Sequence, residues 1–471
     1  MTAVLAWLGF GPLARLAHGG WGDLRVLGGT VRAEGVVDRS LGLSSSATPD
    51  RGSPRAANAE RRAVGRDAGA KYLPPMQLSN QLEQHIAVFG ESGSGKTVLV
   101  SSFYGATQEP QFLQSSLFDV TADDTGLGHR LHRNYLGMKD SARLPEPTRF
   151  AATSYAFTVK LKDKVAHAKG SRPFDALRLV WHDYPGEWFD QDVSGSEEEE
   201  RRVDTFRSLL RSDVAVLLVD GQKLLDNEGE EERYLKSLLG SFRTGLLRLE
   251  DDLLVDGQRL VEFPRIWILA LSKADLLPGL DVFGFRNLVI DRAADDLSEL
   301  RKVLERLVDS PDALAVGEDF LLLSSAKFEP NKIEVTERIG LDLLLPITAM
   351  LPLERHIKWA EQKQIGAKVA ENLLAGVGTL ATALLGKSKD EGIKKLKGIK
   401  NVRNLKDLKG LAGGQLVAGA LAVAANLGTD QLVKINSAAL AKRDHLVAVL
   451  SRFRLDLDEG EQQRVFLRSR K

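Results

Sequence analysis

The segment "GESGSGKT" (Gly90 to Thr97) decides the fold of this chain. It fits the pattern G-x-x-x-x-G-K-[ST], and it stands between a short apolar run, "HIAVFG" (85–90), and a helix-forming run, "KTVLVSSFYG" (96–105). A Gly-rich turn that follows a strand and opens a helix has the context in which backbone N–H groups wrap phosphates. The segment therefore predicts a P-loop rather than a Gly-rich turn with a chance lysine.

The chemistry of the P-loop assigns a role to each part of this segment. Lys96 supplies a positive charge to the β- and γ-phosphates and counts as a predicted catalytic residue, while the Thr97 hydroxyl is a predicted ligand of Mg²⁺. The predicted nucleotide-binding residues of the loop are Gly90, Glu91, Ser92, Gly93, Ser94, Gly95, Lys96, Thr97 and Val98.

Outward from the P-loop, apolar runs alternate with helical patterns. The further strand candidates are "LRLVWHD" (177–183), "DVAVLLVD" (213–220), "RIWILALS" (265–272) and "DFLLLSS" (319–325). Strands that are apolar almost throughout and alternate with helices indicate a parallel sheet that is covered on both faces. The predicted fold class is α/β, with a doubly wound, mostly parallel sheet in a P-loop domain at 76–352.

Two further motifs follow strand candidates, "SKAD" (272–275) and "SSAK" (324–327). Here the sequence resembles the Ras-like, translation-factor (TRAFAC) class of P-loop GTPases, in which an [NT]-K-x-D turn binds guanine and a later S-A-K loop caps the base. An aspartate accepts two hydrogen bonds from the N1–H and the exocyclic amine of guanine, and adenine offers no such pair of donors.

The resemblance implies a role for each residue of these two motifs. Asp275 would select guanine, the stem of Lys273 would stack on the base, and the Ala326 N–H would bind the guanine O6. Ser272 replaces the usual Asn or Thr and would bond more weakly towards the P-loop. Ser325 and Lys327 complete the predicted base-binding set.

The stretch "WHDYPGEWF" (181–189) lies between the P-loop and SKAD, where the GTPase class has D-x-x-G. The string "DYPGEW" resembles more specifically the YcjX-like branch of bacterial P-loop proteins, over about residues 84–350. The resemblance implies that Asp183 supports the metal and that Gly186 touches the γ-phosphate. Glu187 stands where many such proteins carry a glutamine, so it can accept a hydrogen bond from the attacking water but cannot also donate one.

A threonine that closes over Mg²⁺ is expected before this stretch. Thr148 in "LPEPTRF" (144–150) is the preferred candidate, with Thr121, Thr125 and Thr153 as rivals. The predicted catalytic residues are then Glu187, Asp183, Lys96 and Thr148, and the predicted metal ligands are Thr97, Asp183 and Thr148.

Composition sets outer limits on function. The chain of 471 residues has no cysteine and a formal net charge of zero. These features exclude disulfides, thiolate zinc sites and cysteine nucleophiles, and they suit a cytoplasmic protein. Residues 1–75 lack both a signal-peptide pattern and an apolar period, which predicts a disordered extension.

Beyond residue 352 the sequence predicts a helical domain at 353–452 and a flexible tail at 453–471. Its apolar runs at 372–386 and 411–428 flank a basic segment at 393–410. Three interpretations remain open: peripheral contact of 372–428 with an anionic membrane, a packed bundle with a solvated basic loop, and, as the weakest, nucleic-acid binding. The acidic run at 190–200 is either solvated or a docking site for a protein partner.

Taken together, the motifs predict hydrolysis of GTP to GDP and phosphate with Mg²⁺, used as a conformational switch. The alternatives are a YcjX-like ATPase and a slow, nucleotide-gated protein-binding module. A transporter-type ATPase is disfavoured, because the signature-like string "LAGGQ" (411–415) follows the whole sheet domain instead of preceding the metal aspartate. The oligomeric state stays open.

Overall fold

The computed structural model describes ten stretches of the chain. They are 81–145, 153–162, 176–183, 186, 195–254, 257–261, 264–329, 331–361, 428–441 and 445–469. The predicted N-terminal extension 1–75, residues 372–427 of the predicted membrane-contact region, and the basic segment 393–410 all lie outside them. Elements are numbered below over the described residues.

A mixed sheet of eight strands carries the domain, and its strand order is β10-β7-β6-β5-β1-β4-β3-β2. The strands are β1 Gln81–Phe89, β2 Phe118–Ala122, β3 Thr153–Leu161, β4 Ala176–Asp183, β5 Val214–Asp220, β6 Ile266–Ser272, β7 Ala315–Leu322 and β10 Phe466–Leu467. Strands β8 Lys327–Glu329 and β9 Lys332–Glu334 form a separate hairpin.

The five central strands run parallel, from β4 through β1, β5 and β6 to β7. Strands β3, β2 and β10 add antiparallel edges. Every residue of β5 and β6 is buried, because helices cover both faces of the sheet there. The structure thus confirms the predicted doubly wound, mostly parallel α/β sheet.

Helices supply the two covering layers. They are α1 Lys96–Thr107, α2 Pro110–Ser115, α3 Thr125–Ser141, α4 Ser196–Leu209, α5 Gly221–Asp226, α6 Glu231–Arg248, α7 Glu250–Leu253, α8 Val282–Leu307, α9 Leu344–Glu361, α10 Thr429–Ala441 and α11 His445–Gln462. None of the helices in the described stretches is both long and apolar enough to cross a membrane.

Each face of the sheet has its own apolar core. Along β1, Ile86 and Val88 pack into one core with α1, α9 and α11, while Ala87 and Phe89 pack into the other with α6 and α8. The alternation follows from the two-residue period of a strand. Phe89 stacks on Trp267 of β6, with ring centroids 5.3 Å apart. The central strand β1, which leads into the P-loop, is therefore fixed from both sides.

Several elements were not predicted, among them strands β2, β3 and β10 of the main sheet, and β7 was displaced. Strands β2 and β3 were missed because they are antiparallel and half-exposed, so their apolar residues alternate with polar ones instead of forming a run. Strand β7 begins at Ala315 and ends at Leu322, several residues before the predicted run 319–325. Its predicted last residues form the loop that follows it.

The C-terminal segment differs from the prediction. Helix α9 crosses the predicted domain boundary at 352, and Pro352 lies inside it. Helix α11 continues to Gln462 and packs in the same core as α1, and β10 then pairs with β7. The flexible tail predicted for 453–471 is wrong for residues 453–469, because the buried ring of Phe466 ties this segment to the sheet.

Candidate nucleotide-binding site

The P-loop is closed around the amino group of Lys96. Its Nζ donates hydrogen bonds to the carbonyl oxygens of Gly90, at 2.7 Å, and Glu91, at 3.0 Å. Gly93 and Gly95 have φ angles of 81° and 92°, in the left-handed region that glycine adopts without steric cost. The two glycines fold the loop back so that the lysine, at the start of α1, reaches into it.

The remaining residues of the loop present backbone at the start of α1. Ser94 is buried and its N–H donates to the Glu91 carbonyl at 3.2 Å, whereas Ser92 is exposed. Val98 is half-buried and packs against a small cluster that contains Tyr135. Unpaired N–H groups at a helix N-terminus attract anions, so this loop is suited to hold phosphate.

Two oxygen donors meet beside the loop. The hydroxyl of Thr97 lies 3.5 Å from Asp183 Oδ2, and Asp183 is only 2% exposed at the end of β4. A carboxylate and a hydroxyl are hard oxygen ligands that suit Mg²⁺, which keeps further positions for water and phosphate. The donor set therefore fits the predicted metal.

Gly186 approaches the P-loop backbone closely. A Cβ at this position would overlap the backbone nitrogen of Ser92 and would lie 2.7 Å from the carbonyl oxygen of Glu91. Both neighbours are main-chain atoms, which cannot move aside as the end of a flexible side chain can. Only glycine fits here, and the D-x-x-G segment therefore contacts the phosphate-binding loop directly.

Asp275 and the loop after β7 form the other end of the site. The Ser324 hydroxyl lies 2.6 Å from Asp275 Oδ1 and 2.7 Å from the Ala326 carbonyl oxygen. The Phe328 N–H points at Asp275 Oδ2 from 3.5 Å. Ala274 N–H donates to the Leu323 carbonyl, so backbone bonds join the two predicted base-binding motifs.

Ser272 and Lys273 have partners that the sequence did not indicate. The Ser272 hydroxyl donates to the Val219 carbonyl at 3.3 Å, on the neighbouring strand rather than towards the P-loop as expected. Lys273 has φ 54°, and its Nζ lies 2.7 Å from Asp220 Oδ2. Asp220 is buried at the end of β5, so this ion pair fixes the turn to the neighbouring strand.

The other predicted base-binding residues differ in exposure. Ala326 is fully buried and Ser325 is nearly so. Lys327 is exposed, and its amino group pairs with Glu329 at 3.1 Å and with Glu337 at 3.7 Å. The amino group of Lys327 is therefore engaged in ion pairs at the protein surface.

The sequence analysis gave no role to four residues around these motifs: Asp220, Lys223, Tyr234, and Ser324, the first residue of the quoted string SSAK. Asp220 ends a fully buried strand at the same edge of the sheet as Asp183 and Ser272. A carboxylate in that position is a signal that the sequence contained, because the carboxyl ends of parallel strands meet at one edge. Lys223 of α5 contacts Glu91, and Tyr234 of α6 contacts Asp220, so their positions depend on how these helices pack, which no sequence motif indicates.

Several predicted residues fall outside the described stretches or near their ends. Thr148, Glu187 and residues 190–194 of the acidic run are outside them. Of the rival threonines, Thr153 is the register partner of Asp183, whereas Thr121 and Thr125 are exposed. The described part of the acidic run opens α4, where its negative charges suit the positive helix end, and Glu198 pairs with Arg202 at 2.6 Å.

Comparison with known proteins shows what a part of the chain is similar to. Residues 84–305 match the model of a family described as Double-GTPase 2. Nucleolar GTP-binding protein 1 from Plasmodium falciparum is similar at 12% identity and a TM-score of 0.26, over 64% of this chain and 97% of that one. A variant of Era from Aquifex aeolicus, bound to GDP and tetrafluoroaluminate, is similar at 12% identity and a TM-score of 0.21, over 58% and 66%. No curated protein matches the chain.

Proposed function

We propose that this chain, which carries a P-loop domain of the GTPase class, binds GTP with Mg²⁺ and hydrolyses it to GDP and phosphate as a conformational switch. The observation that carries the choice of GTP is the orientation of Asp275. Ser324 lies 2.6 Å from one carboxylate oxygen, and the Phe328 N–H approaches the other. A carboxylate held in this way offers its remaining lone pairs to two adjacent N–H donors, which guanine has and adenine lacks.

The phosphates bind at the other end of the same sheet edge. Backbone N–H groups of the P-loop and the Lys96 ammonium surround the negative charge of the β- and γ-phosphates. Thr97 and Asp183 hold the Mg²⁺, which supplies charge neutralisation on the phosphate oxygens when it is bound. Lys96 exchanges its bonds to the Gly90 and Glu91 carbonyls for phosphate contacts, so the loop is already shaped for its ligand.

The close approach of Gly186 to the P-loop supports the proposed switch function. A γ-phosphate seated in the loop adds an acceptor beside Gly186, and its loss on hydrolysis removes that acceptor. Because Gly186 lies directly against the backbone of Ser92 and Glu91, a shift of the loop moves Gly186 as well. The nucleotide state thereby sets the position of Gly186.

Glu187 controls the rate of the chemical step. An ionised glutamate accepts a hydrogen bond from the attacking water but repels the γ-phosphate, so intrinsic hydrolysis is slow. The substitution Glu187→Gln supplies a donor and removes the charge, and we expect it to speed single-turnover hydrolysis about tenfold. An unchanged rate would contradict this role. Contact of residues 372–428 with an anionic membrane stays a prediction.

The choice of base is tested by calorimetry with GTP, ATP and XTP on the wild type and on Asp275→Asn. Xanthine carries an oxygen where guanine carries its amine, so an asparagine amide suits it better. We expect the wild type to prefer GTP and the variant to lose about 100-fold in GTP affinity while gaining XTP binding. Asp312→Asn is the matched control, because Asp312 is exposed at the opposite end of β7. Equal binding of GTP and ATP by the wild type would overturn the assignment in favour of an ATPase.

A further inference from the structure

Glu91 puts a carboxylate inside the loop that receives phosphate. Its carbonyl oxygen accepts a hydrogen bond from Lys96, so its backbone belongs to the loop itself. Its side chain is only 15% exposed, and water therefore screens its charge incompletely. A fixed negative charge at this position repels a nucleoside triphosphate. The negative charge of Glu91 needs a compensating cation. Lys96 cannot serve, because its ammonium group binds the phosphates.

Lys223 provides a cation next to Glu91. Its Nζ lies 2.9 Å from Glu91 Oε2, and it also stands over the ring of Tyr234, 5.9 Å from the ring centre. Lys223 belongs to α5, the short helix that follows β5. The aromatic ring below the ammonium and the carboxylate beside it hold the long side chain in one place.

The start of α5 is itself anchored to the base-binding turn. The Asp220 side chain accepts a hydrogen bond from the Gln222 N–H at 2.9 Å and caps the helix, and its Oδ2 binds Lys273 at 2.7 Å. Gly221 packs so closely that a Cβ there would lie 2.7 Å from the Ser272 carbonyl oxygen. Helix α5 therefore cannot shift without moving the turn that carries Asp275.

Tyr234 closes the connection from the side of α6. Its hydroxyl accepts a hydrogen bond from the Asp220 N–H at 2.9 Å. Burial and the neighbouring Glu91 carboxylate raise the pKa of Tyr234, so its hydroxyl stays protonated. A continuous series of contacts thus joins the P-loop to the base-binding turn, in the order Glu91, Lys223, Tyr234, Asp220 and Lys273.

We propose that Lys223 is a positioning residue of the nucleotide site, which neutralises Glu91 so that the P-loop accepts a triphosphate. The inference rests on the nucleotide binding proposed above. Lys223 acts through Glu91 and not by contact with the nucleotide. Its loss leaves an uncompensated carboxylate on a residue of the P-loop, whereas loss of both charges restores a neutral loop. Helix α5 also ties this compensation to the base-binding turn, so both ends of the site are held in register.

A double-mutant cycle tests the proposal, with GTP affinity measured by calorimetry for the wild type, Lys223→Met, Glu91→Gln and the double variant. We expect Lys223→Met to weaken GTP binding about tenfold and Glu91→Gln to tighten it. In the double variant the loss caused by Lys223→Met should disappear. Lys223→Arg keeps the charge and should retain the affinity of the wild type to within about threefold.

The outcomes separate this inference from the function on which it rests. Absence of GTP binding by the folded wild type would remove the proposed function itself. Binding by the wild type together with a double variant as weak as Lys223→Met would show that removing the Glu91 charge restores nothing, which indicates direct contact of Lys223 with the nucleotide and would overturn the compensation. An unchanged affinity of Lys223→Met would overturn it as well. Lys236→Met is the matched control, because Lys236 pairs with Glu232 on the exposed face of α6.

Discussion

At the scale of single residues, Gly186 shows how a motif position acquires its constraint. The sequence marked it as the glycine of a D-x-x-G pattern, and the structure adds that its neighbours are the main-chain atoms of Ser92 and Glu91. The requirement for glycine therefore comes from the close approach of two backbone segments. The φ angle of Gly186 does not require glycine, because it does not lie in the left-handed region.

Gly186→Ala should impair the site without unfolding the protein. The added methyl group forces the D-x-x-G segment away from the P-loop, and a displacement of about 1 Å near reacting groups costs about 100-fold in rate. We expect GTP hydrolysis in single turnover to fall by that order. Gly195→Ala is the matched control, since a Cβ there meets nothing within 4 Å. Equal rates for Gly186→Ala and the control would show that the contact is dispensable.

The residues that the sequence revealed are those whose type and spacing are set by the ligand. Lys96, Thr97 and Asp275 belong to motifs of fixed residue order, so their chemistry can be predicted from the sequence alone. Asp220 and Lys223 support these residues through space, from a strand end and a helix turn with no repeated pattern. Such supporting contacts depend on which strands are neighbours in the sheet. No local motif indicates the strand order, so these contacts could not be predicted from the sequence.

At the scale of elements, β5 and β6 were predicted to within a residue or so because both faces of each strand are buried. Their apolar runs are only about seven residues long and are rich in β-branched and aromatic residues, which favours a buried strand over a buried helix. Strand β3 has buried residues only at alternate positions, Tyr155, Phe157 and Val159, which is the signal that would have revealed it. The C-terminal strand β10 is only two residues long, and its many charged neighbours gave the segment the composition of a tail.

Those charges are paired in the structure. Arg468 binds Glu354 at 3.0 Å, and it also binds Asp458 and Glu461 at 2.9 Å each. The Leu322 N–H donates to the Val465 carbonyl, so the segment completes the sheet at the strand that leads into the loop of Ser324. The C-terminal end of the chain is thus part of the support of the base-binding loop.

Phe466→Ala measures how much the C-terminal strand contributes to stability. The ring is fully buried in the core that α9 and α11 share, and emptying such a site typically costs about 3 to 5 kcal/mol. We expect the free energy of unfolding in urea to fall by about that amount. Leu247→Ala, at a position 40% exposed on α6, is the control and should change it by less than about 0.5 kcal/mol. A loss below about 1 kcal/mol for Phe466→Ala would mean that β10 is only loosely attached.

At the scale of the whole molecule, α9 and α11 extend the core of the P-loop domain beyond the predicted boundary at 352. Leu351, Leu353 and Phe453 belong to the same buried cluster as Ile86 and Val88 of β1. The described C-terminal helices therefore stabilise the strand that leads into the P-loop. The sequence could not show this packing. After residue 352 the alternation of strands and helices gives way to helices alone, and that change is the same for a separate helical domain and for helices that cover the sheet.

Helix α9 also makes the stability of the whole molecule depend on pH through His356. This side chain is 3% exposed, and burial together with the positive charge of Arg265 lowers the pKa of His356 to about 3 from an ordinary value of 6.5. Between these two pKa values, the unfolded chain therefore binds a proton at His356 that the folded chain does not bind. Stability from this group is present in full above the unfolded pKa and is lost as the pH falls from 6.5 towards 3.

Comparison of the wild type with His356→Met isolates this contribution, since methionine fills a similar volume and does not titrate. Between pH 7 and pH 5 the wild type should lose about 2 kcal/mol more of its free energy of unfolding than the variant. Burial raises the pKa of Asp213 to about 6, so the contribution of Asp213 to the free energy of unfolding rises as the pH falls, opposite to that of His356. It is unchanged between the two proteins, so its effect cancels in the difference. Parallel stability profiles across this pH range would show that His356 is protonated in the folded protein, and that α9 leaves it within reach of water.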